Sequence, residues 1–216
     1  MAKNSAFNVD IDVAGLQSLA DRLGTLDAES LGSAALRAVN SIADETYELA
    51  RPRMIDSINL SDDYVQKRMR VEHATSPDNA TATIIASGRR PDMTILARYG
   101  ARQMTQPAKH MSQSRGDKLY SRNIAPGMKS AGISVEVTRS SRKTIANGFF
   151  MPLRNGNGVG LFTREGPGKK NYKHRYGPSV YQLFRVTAEN MVGEVSENLE
   201  TRLLDEVDRE LNKAFK

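Results

Sequence analysis

Gly132-Ile133-Ser134-Val135-Glu136-Val137-Thr138 alternates apolar and polar side chains with a period of two. Successive side chains of an extended chain point to opposite faces, so Ile133, Val135 and Val137 share one side of a half-buried strand. Working outward, residues 80–87 (Ala-Thr-Ala-Thr-Ile-Ile-Ala-Ser) have the β-branched content of another strand. Residues 146–153 and 158–164 read as two more, joined through Asn155-Gly156-Asn157-Gly158. Gly and Asn accept the positive φ of a tight hairpin turn. Near the start, Phe7, Val9, Ile11 and Val13 alternate with Asn8, Asp10 and Asp12 and predict a short strand.

Helical periods frame these strands. Leu16, Leu19, Ala20 and Leu23 predict a short helix ended by Gly24. Asp27 is placed to cap a long helix whose stripe is Leu31, Ala35, Ala38, Val39, Ile42, Thr46 and Leu49. Ala34, Ala35, Ala38 and Ala43 permit close approach, and Pro52 is expected to kink or end the helix. Ser61 caps a second, short helix ending near Arg70, with Asp62 and Asp63 facing the positive end of its dipole. From about Ser179 to Ala214, Val192, Val195, Leu199, Leu203, Val207 and Leu211 recur at helical spacing. Glu194, Glu197, Glu200, Asp205 and Glu206 take the other faces, and Asp44, Glu45 and Glu48 are expected to face solvent. The order predicts an α+β fold: a mainly antiparallel sheet packed by a long N-terminal and a long C-terminal helix, with long basic loops.

A chain of 216 residues suits a single domain, 1–216. Residues 100–130 lose all periodicity and read as a poorly structured basic insert. A second basic loop spans 166–177. The apolar and charged fractions, 39% and 26%, argue against wholesale disorder. There is no cysteine, which excludes disulfides and thiolate chemistry. No apolar run suits a signal peptide or a membrane span, so the chain is expected to be soluble and made in the cytoplasm.

The net charge of +6 is unevenly spread. Residues 1–60 hold five Lys/Arg against nine Asp/Glu, and residues 178–216 five against eight. Residues 86–130 and 131–177 each hold nine against two. A basic middle between acidic ends suits a molecule that presents opposite charges to different neighbours. Solvated basic loops are the plainer account. The candidate contacts for a partner or for DNA are Arg89, Arg90, Arg98, Arg102, Lys169, Lys170, Lys173 and Arg175. Tyr99, Tyr120, Tyr172 and Tyr176 offer stacking surfaces, so non-specific nucleic-acid binding through 86–177 is an alternative function. No element suits base-specific readout.

Catalytic patterns are missing. His73, His110 and His174 stand apart in polar surroundings and read as solvated surface histidines. Gly156-Asn157-Gly158-Val159-Gly160 has no following helix to hold a phosphate, so it reads as a hairpin. No metal, cofactor or catalytic residue is expected.

The stretch from Ala34-Ala35-Leu36-Arg37-Ala38-Val39-Asn40 through Thr46, Ala50, Arg51 and Ile55 resembles the N-terminal helix of phage minor tail protein Z, the tail-completion family. The likeness continues in residues 64–71 (Tyr-Val-Gln-Lys-Arg-Met-Arg-Val), 133–137 and 148–151. It is most distinctive in Gly160-Leu161-Phe162-Thr163-Arg164 followed by Gly177-Pro178-Ser179-Val180 and a terminal amphipathic helix. Gly177, Pro178 and Ser179 also have a physical reading, a stop followed by a helix cap. The insert near 100–130 departs from the family, and no role is carried over to it. The resemblance spans about 30–215. It implies a non-enzymatic virion component at the head-proximal end of a tail, forming a ring around the DNA path. The implied partners are the tail terminator, the tail tube or head-connector proteins.

Overall fold

The computed structural model describes residues 5–11, 27–87, 94–107, 124–125, 127–154, 158–166 and 171–214. Their contacts divide the chain into two units. The first comprises Met1–Met54, Asp62–Arg90 and Val180–Lys216, and the second Ile55–Ser61 and Pro91–Ser179. The fold is α+β, with ten strands among the described residues arranged in three antiparallel sheets.

The first unit contains β1 (Ser5–Asp10), α1 (Ala28–Ser57, up to Met54), α2 (Asp62–Gln66), β2 (Met69–Glu72), β3 (Thr81–Ala86) and α2's long counterpart α3 (Val180–Ala214). Its sheet runs β1-β3-β2, with Phe7 and Val71 both opposite Ile84. α3 packs on β1 and β3. Ala82, Ile84 and Ala86 alternate along β3 and are buried, as the period-two pattern requires.

α1 begins where Asp27 predicts. The Ser30 N–H donates to Asp27 Oδ1 at 2.7 Å, and the Ser30 hydrogen bonds hold this carboxyl below its usual range. The buried face is wider than the expected stripe, adding Ala34, Ala43, Ala50 and Met54. Its small residues allow close approach: a Cβ on Gly32 would lie 2.9 Å from Pro77 Cβ. Contrary to expectation, α1 runs through Pro52 to Ser57. Proline leaves the Glu48 carbonyl without its helical donor, and both residues sit on the exposed side, where water replaces that donor.

The short second helix stops at Gln66, and Met69–Glu72 is a strand rather than its last turn. Buried Met69 and half-buried Val71 alternate with exposed Arg70 and Glu72, a period-two signal too short to outweigh the helical start. Asp62 and Asp63 are paired with Arg51 and Lys67, so more than the helix dipole holds them. The short helix at 16–23 and its Gly24 stop lie outside the described residues.

In the second unit, β4 (Thr94–Ile95) and a 3₁₀ turn (Leu96–Arg98) precede β5 (Arg102–Pro107), β6 (Met128–Thr138) and β7 (Ser141–Ile145). β8 (Gly148–Pro152), β9 (Val159–Arg164) and β10 (Tyr172–Gly177) follow. One sheet is β5-β6-β7 and the other β4-β10-β9-β8. Both aperiodic segments therefore contain strands: β5 lies within the expected insert, and β10 within the expected loop 166–177. β5 is an exposed polar edge strand, so no apolar alternation marks it. β6 starts at Met128, earlier than Gly132, and a bulge in its pairing with β5 interrupts the alternation there. Gly132 stands there at φ +101°, and the Gln103 side-chain amide donates to Ser130 Oγ at 2.7 Å and the Gly132 carbonyl at 2.9 Å. A Cβ at Gly132 would fall 2.3 Å from the Ile145 carbonyl oxygen. Tyr99, Ile133 and Leu161 are fully buried at the centre of this unit.

Candidate interaction surfaces

α3 owes its place to an apolar row, Val180, Phe184, Ala188, Met191 and Val195, which is buried. The expected row is displaced: Val192 is exposed, and Leu199, Leu203, Val207 and Leu211 are half-buried. Beyond Val195 the inward positions turn polar. Asn198 and Arg202 meet Glu45 at 3.5 and 3.8 Å, so Glu45 faces α3 rather than solvent. Arg37 Nε meets Glu206 Oε2 at 2.8 Å and its other arm reaches Glu210. Arg53 meets Glu194 at 2.7 Å. As the α1 number rises from 37 to 53 the α3 number falls from 206 to 194, so the two helices are antiparallel neighbours joined by charge.

The Gly177-Pro178-Ser179 turn is built around Tyr99. The Tyr99 hydroxyl donates to the Pro178 carbonyl at 2.5 Å. A Cβ on Gly177 would lie 2.3 Å from Tyr99 Cε2, so only glycine lets the strand pass the ring. The Tyr99 carbonyl in turn accepts the Glu136 N–H at 3.0 Å, tying the turn to β6. Ser179 is buried at the start of α3.

Of the eight candidate cations, Arg89, Arg90, Lys169 and Lys170 lie outside the described residues. Arg98 and Arg102 are exposed on either side of the Tyr99-Gly100 turn. Arg102 and Arg142 help to hold the Glu136 carboxyl below its usual range, after the backbone donor of Ser140. Lys173 and Arg175 converge on Glu165 at 3.9 and 3.5 Å, and Arg175 Nε donates to Thr163 Oγ1 at 2.7 Å. The structure thus gathers the β10 pair around an acid on a strand, where the sequence predicts a loop.

An aromatic face was not anticipated from the sequence. Tyr172, His174 and Tyr176 alternate along β10, His174 is opposite Phe162 on β9, and Phe162 is opposite Phe149 on β8. The Phe162 and His174 rings stack at 4.3 Å and 17°, and His174 meets Tyr176 at 4.2 Å. Tyr172 is 45% exposed and Tyr176 37%. His174 is consequently no solvated surface histidine: its Nε2 is buried without a hydrogen-bond partner among the described residues, and burial lowers its pKa. Gly160 makes room for it, since a Cβ there would lie 2.6 Å from that nitrogen. The signal was the alternation Tyr-x-His-x-Tyr, overlooked among flanking lysines. His73 pairs with Asp44 at 2.8 Å, and His110 lies outside the described residues.

Charge divides as the fold does. The first unit holds fifteen Lys/Arg against twenty Asp/Glu, a balance of −5, and the second sixteen against five, +11. No group of three His, Asp or Glu side chains suited to a metal occurs among the described residues. No helix there is long and apolar enough to cross a membrane.

Two oppositely charged units, one headed by the Tyr99-braced turn, make up an α+β protein of the phage-tail class. The model of the prophage minor tail protein Z family matches residues 13–216, and the chain belongs to that family. It is a phage minor tail protein and hence a virion component. No curated protein and no solved structure matches it.

Proposed function

We propose that this protein completes the head-proximal end of a phage tail and helps join tail to head, as a homo-oligomeric ring around the DNA path. The observation that carries this reading is the family match from 13 to 216, which runs through both units. The same continuity supports treating 1–216 as one functional domain. The role is structural, with no reaction assigned. Its neighbours are the tail terminator, the tail tube or head-connector proteins. Opposite charge on the two units suits a molecule wedged between different neighbours, because complementary potentials steer assembly and fix register.

The test is a phage lacking this chain. Tails and filled heads that accumulate unjoined, and join on addition of the purified protein, support the reading. Normal joined particles would sink it. Electron microscopy of labelled protein on isolated tails gives its position, and label away from the head-proximal end excludes the junction.

The +11 balance of the second unit favours a second reading, non-specific contact with DNA. Phosphate contacts release counterions, so that affinity must fall steeply with salt. Binding that ignores salt excludes it.

A further inference from the structure

The outer face of α3 has no partner within the described chain. Val186, Gly193, Glu197, Leu204 and Asp208 follow one another at seven, four, seven and four residues, a spacing that places them on one side of a helix. Val186 is 52% and Leu204 60% exposed. Glu197, Glu200 and Asp208 are exposed and form no ion pair among the described residues, unlike Glu194, Glu206 and Glu210 toward α1. Gly193 is the informative residue. Glycine inside a helix is destabilising relative to alanine, and a Cβ there would meet nothing within 4 Å. The described chain gives no packing reason for it. A second chain crossing close to the helix backbone would.

We infer that this face of α3 receives the basic sheet β5-β6-β7 of a second copy of the same chain, an inference that rests on the ring reading above. The sheet is fitted for it by charge. Arg102 and Lys129, opposite Ser134 and Gln106, form no ion pair among the described residues, and their unit carries +11 against −5 for the unit holding α3. Pairing α3 with α3 would bring six like charges together, three from each copy, so the contact is heterologous. Each copy then uses one acidic and one basic surface, and the arrangement closes as a ring if the rotation allows. Val186 and Leu204, about 27 Å apart along the helix, supply apolar contacts on either side of Gly193, and the carboxylates set orientation and salt sensitivity.

The experiment is analytical ultracentrifugation of the full chain at low and high salt. The variants are Gly193→Ala, a triple reversal Glu197→Lys/Glu200→Lys/Asp208→Lys, and a sheet reversal Arg102→Glu/Lys129→Glu. Wild type is expected to self-associate, with the dissociation constant rising about tenfold from low to high salt. Gly193→Ala is expected to raise the thermal midpoint yet weaken association about tenfold, which separates the contact from folding. Each reversal abolishes association alone, and the two mixed together restore it. A monomeric wild type at both salts overturns the inference, as do variants that associate like wild type. A monomer that still enters tails overturns this contact and leaves the tail reading standing. Association through this face by a protein absent from tails supports the contact and sinks the tail reading.

Discussion

Arg37 and Glu206 are 169 positions apart in the chain and 2.8 Å apart in space, Nε to Oε2. Glu206 is only 6% exposed, and Arg209 donates to its other oxygen at 2.7 Å. The Glu206 hydrogen bond is the main reason the Arg37 pKa stands above its ordinary value. A buried carboxylate is tolerated only where it is paired, so this position fixes the register of α1 against α3 where the apolar row has run out.

Arg37→Ala is accordingly expected to destabilise the protein by about 1–3 kcal/mol, because it leaves Glu206 buried with one partner fewer. Arg37→Lys rescues only part of the loss, since one ammonium does not reproduce the two-armed contact. The exposed Arg70–Glu72 pair is the control, and Arg70→Ala should change stability by less than about 0.5 kcal/mol. Urea unfolding of the three variants checks this. Equal effects at Arg37 and Arg70 would refute the buried-carboxylate argument.

Acid should weaken the α1–α3 pairing. Lys213, then Arg37, holds the Glu210 carboxyl below its ordinary range, and Arg53 does the same to Glu194. A carboxylate whose folded pKa is depressed gives its full contribution above the ordinary range, near pH 4.3, and loses it as pH falls through the folded value. The urea midpoint should therefore drop below about pH 4.3. The drop should be smaller in a Glu194→Gln/Glu210→Gln variant, which starts from lower stability. An unchanged slope in that variant would place the acid sensitivity elsewhere.

His174 has the same sign in a higher pH window, and for a different cause. Burial disfavours its cation, so its folded pKa lies below the ordinary value, and as pH falls below about 6.5 the unfolded chain takes up the proton first. Stability should fall from pH 8 toward pH 5.5 and level off below the folded pKa. His174→Phe keeps a ring against Phe162 and Tyr176 but removes the titration. Whatever its offset, its thermal midpoint should vary less across that range than wild type does. A wild-type slope kept in full would show that His174 does not carry it.

The long elements were legible because their signal repeats. Residues of α1 and α3 recur at helical spacing over many turns, β1 and β6 alternate, β3 is rich in β-branched residues, and β8 and β9 are short apolar runs on either side of an Asn-Gly turn. β5 and β7 were not legible, since both are exposed edges of one sheet and edge strands need no apolar face. β10 was hidden because its outward residues are charged, and only its ring residues carry the period. The inward half of α3 was misread for the same kind of reason: Glu206 and Arg202 face inward through partners on α1 that no local pattern announces. Of the candidate contacts, β10 was recognised as basic, but Glu165 as its common acid could not be seen before the hairpin was known.

Gly177 and Pro178 offer the sharpest test of what a short motif does. The Tyr99 ring fills the space that a Gly177 side chain would need and its hydroxyl donates to the Pro178 carbonyl, so the turn and the ring specify each other. Tyr99→Phe keeps the packing and leaves that carbonyl without its donor, which should cost about 1–2 kcal/mol. Gly177→Ala forces a methyl into a space where 2.3 Å separates it from the ring, and it should cost more, about 2–4 kcal/mol. Because both changes act on one contact, the double variant should cost clearly less than the sum of the two. A strictly additive double variant, measured by urea unfolding, would show that Gly177 serves something other than the Tyr99 ring.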